Sequence, residues 1–334
     1  MSSKGDGMNE ILPNLYRIKV PLPQNPLGFI NSYVIKGKER SLIIDTGMNQ
    51  KESEDALHYG LNELGIDLKK ADIFITHFHE DHIGLVPSLA ADTLTVYFNK
   101  VESDIVTQYI SERPKSSWWE SRSDFLRIRG FPEEELQRFV ESDRGRGYQV
   151  RGRLNLRIVK EGDTISIGKY SFRCIETPGH SPGHICLYEP EKRIFISGDH
   201  ILGEITPIIP LYSEEMNPLK DYLASLDKIQ NLDVEYVLPG HGNTFGNFKA
   251  RIKELKDHHQ RRANEALTIL EKGSQNPFQI ASQMTWDIPE PCDQFPPSQK
   301  WFACGETLAH LKYLEDEGKI QTRIQEQKIV FSLK

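Results

Sequence analysis

Cysteine is scarce in this chain of 334 residues, and long apolar runs and an excess of positive charge are absent. Its four cysteines, at positions 174, 186, 292 and 304, show no Cys-x-x-Cys spacing, so we expect free thiols and a metal site built from other ligands. The sequence has no apolar run of membrane-spanning length and no signal-peptide-like segment near its start. These absences predict a protein of the reducing cytoplasm with no membrane partner.

Basic residues are fewer than acidic ones. The chain has 41 Lys and Arg against 48 Asp and Glu, a formal net charge of −7, which argues against a general nucleic-acid binder. Its content of 38% hydrophobic and 27% charged residues is ordinary for a globular protein. At this length we expect one large domain and a smaller one.

Short β-rich runs occupy residues 11–98 and return over residues 154–238, with helical periodicity at Lys51–Leu64 and Pro218–Leu232. Because the strands come in bursts on both sides of helices, we expect an α/β fold with two sheets sandwiched by helices. Residues 100–150 are rich in charge, and we interpret them as a helical insertion.

Beyond Phe248 the pattern is three helical segments and then a hairpin, with Gly273 and Gly318 as helix stops. This is the order of a small winged-helix-like module. We therefore predict a catalytic domain over residues 1–247, including the insertion, and a winged-helix-like domain over residues 248–334.

The most informative stretch is Thr76-His77-Phe78-His79-Glu80-Asp81-His82, directly after the apolar run Ile73-Phe74-Ile75. In a strand, His77 and His79 would project to the same side, and a following turn would bring Asp81 and His82 back toward them. Imidazole nitrogens together with carboxylate oxygens suit a borderline metal such as zinc.

Further strand ends carry a His or Asp next to glycine, where a sheet presents groups to a shared edge. They are Asp45-Thr46-Gly47, Thr177-Pro178-Gly179-His180, Ser197-Gly198-Asp199-His200 and Pro239-Gly240-His241-Gly242. Each of these is weak evidence alone. Together with the His-x-His-x-Asp-His stretch, they predict a metal centre.

These pieces, in this order, resemble the metallo-beta-lactamase superfamily over about residues 11–245, and His-x-His-x-Asp-His is the most specific part. The resemblance implies an αββα sandwich with two divalent metal ions, zinc first, with iron or manganese as alternatives. It implies that His77, His79 and His180 bind the first ion and that Asp81, His82 and His241 bind the second, with Asp199 as the bridge. Asp45 would orient a ligand histidine.

Asp81 is in addition our catalytic candidate, because it could orient the nucleophile or return a proton. We expect Glu80 to point outward, His200 to be structural and His184 to support the site without binding metal. The remaining histidines lie on helices away from the motif, and we assign them no role: His58, His258, His259 and His310.

The reaction that we expect is attack of metal-bound hydroxide on a thioester or activated ester, a small-molecule substrate. Thr177–His184 is similar to the glyoxalase II branch and to lactonases, whereas Gly305–Leu311 resembles members that include an endoribonuclease. A single-strand endoribonuclease acting on RNA, a lactonase, a mononuclear iron persulfide dioxygenase and a non-enzymatic nucleic-acid-binding regulator stay as alternatives. A homodimer is also open. Trp118, Trp119 and Tyr212 are candidates for substrate specificity.

Overall fold

The computed structural model of the chain describes residues 7–89, 94–112, 116–144, 155–211, 213–288 and 290–334. Tyr212, one of the specificity candidates, lies outside the described residues, as does the end of the predicted insertion at 145–150.

Strands are present in both predicted β-rich stretches, residues 11–98 and 154–238, and in the hairpin near the end of the sequence. The strands are β1 (Met8–Leu12), β2 (Leu15–Pro21), β3 (Phe29–Lys36), β4 (Ser41–Ile44), β5 (Ala71–Phe74), β6 (Val96–Asn99), β7 (Leu156–Val159), β8 (Thr164–Ile167), β9 (Tyr170–Glu176), β10 (Ile185–Glu189), β11 (Ile194–Gly198), β12 (Tyr236–Pro239), β13 (Ile320–Gln325) and β14 (Lys328–Leu333).

Helices separate these strands and follow them. They are α1 (Lys51–Glu63), α2 (Glu80–Ile83), α3 (Val86–Leu89), α4 (Lys100–Glu112), α5 (Ser116–Arg127), α6 (Glu133–Arg144), α7 (Pro218–Ile229), α8 (Phe248–Leu270), α9 (Pro277–Ala281) and α10 (Pro297–Asp316). The described part of the segment at 100–150 is mainly helical, as predicted, through α4, α5 and α6.

The strands form two large sheets, which confirms the predicted α/β architecture. One sheet has the order β1-β2-β3-β4-β5-β6-β7, antiparallel as far as β4 and parallel from β4 to β7. The other has the order β12-β11-β10-β9-β8, in which only β11 and β12 pair in parallel. Helices lie between the parallel strands along the chain, because parallel neighbours need a long crossover connection.

Two apolar cores explain the layers. The first lies between the sheets, where Leu42 and Phe74 of one sheet share a cluster with Phe172 and Leu187 of the other. The second includes Leu57 of α1 and covers the other face of the seven-stranded sheet. On the five-stranded sheet, Phe195 packs against Phe248 at the start of α8, with ring centroids 5.2 Å apart. These layers give the αββα order.

The chain forms two compact units. The first comprises Met1–Ile110, Tyr148–Pro207 and Lys228–Arg251, and the second comprises Ser111–Gly147, Ile208–Asp227 and Ile252–Lys334. The second unit therefore draws on three stretches of chain. Its apolar core joins residues of α8, α9, α10 and the hairpin β13–β14. The helix–helix–helix–hairpin order is as expected, and the winged-helix-like domain over 248–334 stays a prediction.

All four cysteines are buried and form no disulfide, as predicted. None of the helices in the described ranges is both long enough and apolar enough to cross a bilayer.

Candidate metal centre

The predicted ligands lie at one edge of each sheet because of strand direction. Asp45 and His77 follow the parallel strands β4 and β5, so both leave the seven-stranded sheet at the same edge. His180, Asp199 and His241 follow β9, β11 and β12, which all run in one direction in the five-stranded sheet. Carboxyl ends of strands that share a direction meet at one edge, and all these residues belong to the first unit.

Contrary to our expectation, strand alternation does not align His77 and His79. Strand β5 ends at Phe74, His77 lies in the bend that follows, and His79 is the N-cap residue of α2. Asp81 and His82 lie in the short helix α2. The bend is fixed by Asp45, whose Oδ1 accepts from the Thr76 N–H at 2.9 Å and whose Oδ2 accepts from Thr76 Oγ1 at 2.8 Å.

Three histidine nitrogens converge in the first group. His77 Nε2 lies 2.9 Å from His79 Nδ1, which lies 3.0 Å from His180 Nε2. Burial lowers the pKa of His77 well below its usual value, and it lowers the pKa of His79 to about 3. The rings of His77 and His79 are therefore neutral at pH 7, and neutral imidazoles are what metal ions bind.

Asp81, His82 and His241 form a second group that could hold a metal ion. Asp81 Oδ2 lies 3.2 Å from His241 Nε2 and 4.0 Å from His82 Nε2. The small helix α2 brings Asp81 and His82 into this group, and the loop after β12 brings His241.

Asp199 lies between the two groups. Its Oδ2 is 3.7 Å from His180 Nε2 of the first group, and 3.5 Å and 3.4 Å from the Nε2 atoms of His82 and His241 in the second. One carboxylate oxygen therefore approaches nitrogens of both groups.

Hydrogen bonds on the outer side of the rings determine which nitrogens face inward. His82 Nδ1–H donates to Asp45 Oδ2 at 2.7 Å, and His241 Nδ1–H donates to the carbonyl of Phe29 at 2.9 Å. The inward Nε2 atoms of His82 and His241 are buried and have no hydrogen-bond partner within the described residues, and the same is true of Asp199 Oδ1. Buried polar atoms without partners are rare, and together these atoms form a donor set that fits a divalent cation.

Charge in the second group is balanced by protons. Against the effect of burial, Asp45 and Asp199 raise the pKa of His82, and Asp199 raises the pKa of His241 to about 10. The same histidines overcome burial and lower the pKa values of Asp81 and Asp199. A cation bound here would take over the role of these protons and release them.

Two residues near β12 position the His241 loop, and the sequence did not single them out for that role. Asn31 Nδ2 donates to the carbonyls of Pro239 and Gly242, both at 2.9 Å. A Cβ at Gly240 would lie 2.4 Å from Asp199 Oδ1, so only glycine fits there without displacement.

His184 contacts the candidate centre through Asp199. The Asp199 N–H donates to His184 Nε2 at 3.2 Å, so Nδ1 carries the proton and donates to Thr177 Oγ1 at 2.9 Å. His200 is buried, which lowers its pKa to about 3. In the part of the chain that the structure describes, neither His200 nor Glu80 joins a ligand group.

Glu102 is a further neighbour of the centre that the sequence did not reveal. It is fully buried near the ligand loops, and burial raises its pKa to about 7 against the lowering effect of its hydrogen bonds. Trp118 and Trp119 belong to the second unit, where the Arg122 guanidinium lies 4.8 Å from the centroid of the Trp118 ring.

A family model described as the metallo-beta-lactamase superfamily matches residues 25–241. The chain is 27% identical over 314 residues to the probable metallo-hydrolase YqjP of Bacillus subtilis, covering 91% of this chain and 92% of that protein. It is 28% identical over 227 residues to the human protein named acyl-coenzyme A thioesterase MBLAC2, covering 65% of this chain and 74% of that protein. A crystal structure of a metallo-beta-lactamase family protein from Thermus thermophilus superposes with a TM-score of 0.80 at 28% identity, covering 97% of this chain and all of that one.

The chain belongs to the metallo-beta-lactamase superfamily, and it is a hydrolase of that family. The fold implies divalent metal ions, and the His and Asp groups described above could bind them.

Proposed function

We propose that this hydrolase uses two divalent metal ions to cleave a thioester or another activated ester of a small molecule. His77, His79 and His180 would bind the first ion, Asp81, His82 and His241 the second, and Asp199 would bridge them. The observation that carries this proposal is the position of Asp199 Oδ2, within 3.7 Å of nitrogens from both ligand groups.

Bound divalent ions would lower the pKa of a coordinated water to about 7 and polarise the scissile carbonyl. The chain's own part is to place the groups. Asp45 fixes the proton of His82 on Nδ1, and the Phe29 carbonyl does the same for His241, which leaves both Nε2 lone pairs directed inward.

Asp81 is our candidate for orienting the nucleophilic water. Its side chain retains 17% exposure while that of His82 has none, so within the second group it is more open to solvent. Because its pKa is lowered by His82 and His241 against burial, Asp81 stays ionised and accepts hydrogen bonds. Orientation is therefore the role that we assign, in preference to return of a proton.

Similarity to a protein named acyl-coenzyme A thioesterase supports the thioester, and the net charge of −7 disfavours a polyanionic substrate such as RNA. Zinc is the ion that we propose, because histidine and carboxylate ligands suit it, although iron and manganese also accept them. We propose a cytoplasmic location because the four buried cysteines form no disulfide.

The test is a substrate panel with metal-loaded protein: acyl-coenzyme A thioesters, lactones, a persulfide and short single-stranded RNA. We expect thiol release from thioesters, about two metal ions per chain, and a loss of at least roughly 100-fold in Asp199→Ala. His58→Ala, a surface change on α1, is the control and should keep wild-type activity.

RNA cleavage that Asp199→Ala abolishes, with thioesters untouched, would show that the chain is an endoribonuclease. One iron per chain with oxidation of the persulfide and no hydrolysis would indicate the dioxygenase instead. Tight, salt-sensitive DNA binding by the full chain without any turnover would support the regulator.

A further inference from the structure

Glu102 is a buried carboxylate that reaches two loops of the centre at once. Its Oε2 accepts from the Phe78 N–H at 2.7 Å, and its Oε1 accepts from Ser181 Oγ at 2.9 Å and from the Gly183 N–H at 2.5 Å. A buried carboxylate is costly unless donors satisfy it, and here three donors do.

The donors to Glu102 lie next to metal-ligand candidates in the chain. Phe78 stands between His77 and His79, and Ser181 directly follows His180. Through one side chain, the loop after β5 and the loop after β9 are thus joined next to all three histidines of the first group.

Local structure directs Glu102 to this place. Helix α4 follows β6 without a linker, and Asn99 Oδ1 accepts from the Val101 N–H at 2.8 Å, which fixes the first turn that carries Glu102. A Cβ at Gly183 would lie 2.4 Å from Asn99 Oδ1 and 3.0 Å from Glu102 Cγ, so glycine permits the close approach of the loop.

We propose that Glu102 is a positioning residue for the first metal ion. It fixes the spacing of two loops so that His77, His79 and His180 direct their nitrogens at one ion. The proposal rests on the proposed function, because it assumes that these three histidines bind metal.

The effect should be specific to one metal position. In the second group, His82 and His241 are oriented by Asp45 and by the carbonyl of Phe29, which belong to other elements. Loss of the Glu102 carboxylate should therefore weaken the first position more than the second.

The test compares Glu102→Gln with a matched control, Glu189→Gln. Glutamine keeps the shape of Glu102 but turns an NH₂ group toward at least one N–H or O–H donor. Glu189 is also buried in the first unit and accepts from the backbone N–H of Lys192 at 2.5 Å, at the end of β10 away from His184.

The measurement is a zinc titration of metal-free protein against a chromophoric chelator, which gives an affinity for each position. The His77→Ala variant should lose one of the two affinities, and we assign the lost affinity to the first metal position. We expect Glu102→Gln to weaken that same affinity about 10- to 100-fold, and Glu189→Gln to leave it unchanged. Melting temperatures of the two metal-free glutamine variants should fall by similar amounts.

The outcomes separate the two proposals. If His77→Ala leaves both affinities intact, the ligand assignment is wrong and the role of Glu102 is lost with it. If His77→Ala removes one affinity but Glu102→Gln does not weaken it, or if both glutamine variants weaken it equally, the positioning role alone is overturned.

A milder variant covers the case in which Glu102→Gln fails to fold. Ser181→Ala removes one donor and keeps the carboxylate, and it should weaken the same position about tenfold. An unchanged affinity in Ser181→Ala would count against the proposal.

Discussion

Each compact unit buries a cluster of histidines, and the two clusters are organised in opposite ways. In the second unit, His259 Nδ1 lies 3.2 Å from His310 Nε2, and His310 Nδ1–H donates to the Glu306 carbonyl at 2.8 Å. His310 therefore has both ring nitrogens in hydrogen bonds. In the first unit, His82 and His241 use one nitrogen for a fixed acceptor and direct the other at carboxylates.

Burial lowers the pKa of His310 to about 3, as it lowers that of His79. A lowered pKa therefore does not distinguish a ligand from a structural histidine. Membership of a group of three converging ligand atoms does distinguish them. Among the described residues, His259 and His310 belong to no group of three ligands, whereas His77, His79 and His180 do.

The largest expected difference between the clusters concerns metal. His77→Ala should lose one of two bound ions and about 10³-fold or more of hydrolytic activity, because the ions supply several kcal/mol of transition-state stabilisation. His310→Gln should keep its full metal content. Metal analysis and thioester hydrolysis check both variants, and a His77→Ala protein with all of its metal would show that the ligand assignment is wrong.

Asp45→Asn tests the hydrogen bonds on the outer side of the ligand rings, which distinguish the metal centre from the His259–His310 pair. Asp45 accepts from His82 Nδ1–H and from Thr76 Oγ1, which itself lies 3.0 Å from His77 Nδ1. An amide nitrogen in place of a carboxylate oxygen would face a donor, so metal affinity should fall about 10- to 100-fold. A zinc competition titration measures the change. Wild-type affinity would mean that the outer contacts do not orient the ligands.

Acid should lower the stability of the second unit through His310, which pairs with His259. Below pH 6.5 the unfolded chain protonates this histidine, whereas the folded chain does not until about pH 3, so stability is lost as the pH falls through that range. Between pH 7 and pH 5 the loss from His310 is about 2 kcal/mol, and His310→Gln should lack it.

Urea titrations at the two pH values measure this loss by tryptophan fluorescence. All four tryptophans, at 118, 119, 286 and 301, belong to the second unit, so the signal reports on that unit. The same fall in stability in wild type and His310→Gln would contradict the assignment of a neutral buried pair.

His184 is intermediate between the two clusters and should show the smallest effect. It lies beside the centre, yet both of its ring nitrogens are in hydrogen bonds, with Thr177 Oγ1 and with the Asp199 N–H. We expect His184→Gln to keep two metal ions and to lose about tenfold in activity, because Asp199 shifts. Loss of an ion in this variant would place His184 among the ligands.

The residue pattern predicted the two-sheet fold, and the seven ligand candidates that the resemblance implied lie in groups that could hold a metal ion. Short apolar, β-rich runs mark the strands, and His77, His79, Asp81 and His82 fall within a few residues of one strand end. Strand β1 was missed because Met-Asn-Glu-Ile-Leu shows no alternation and is only partly buried. Tertiary pairing with β2, not local pattern, makes it a strand.

Glu102 and Asn31 could not be predicted from the chain alone. An acidic residue in the first turn of a helix is explained by the helix N-terminus, so nothing in the pattern marks Glu102 as buried. Asn31 acts on Pro239 and Gly242, about 210 positions away, and such a contact exists only once both sheets are in place.

Asp45 has a backbone φ of +57°, in the left-handed region that aspartate, asparagine and glycine tolerate best. The position is thus restricted twice, by its carboxylate and by its main chain. If selection for metal chemistry were relaxed, His77 would be free to drift to many residues, whereas position 45 would still accept only a few. Aspartate there is therefore a poor guide to whether a distant descendant of this chain still performs catalysis, and the histidines are a better one.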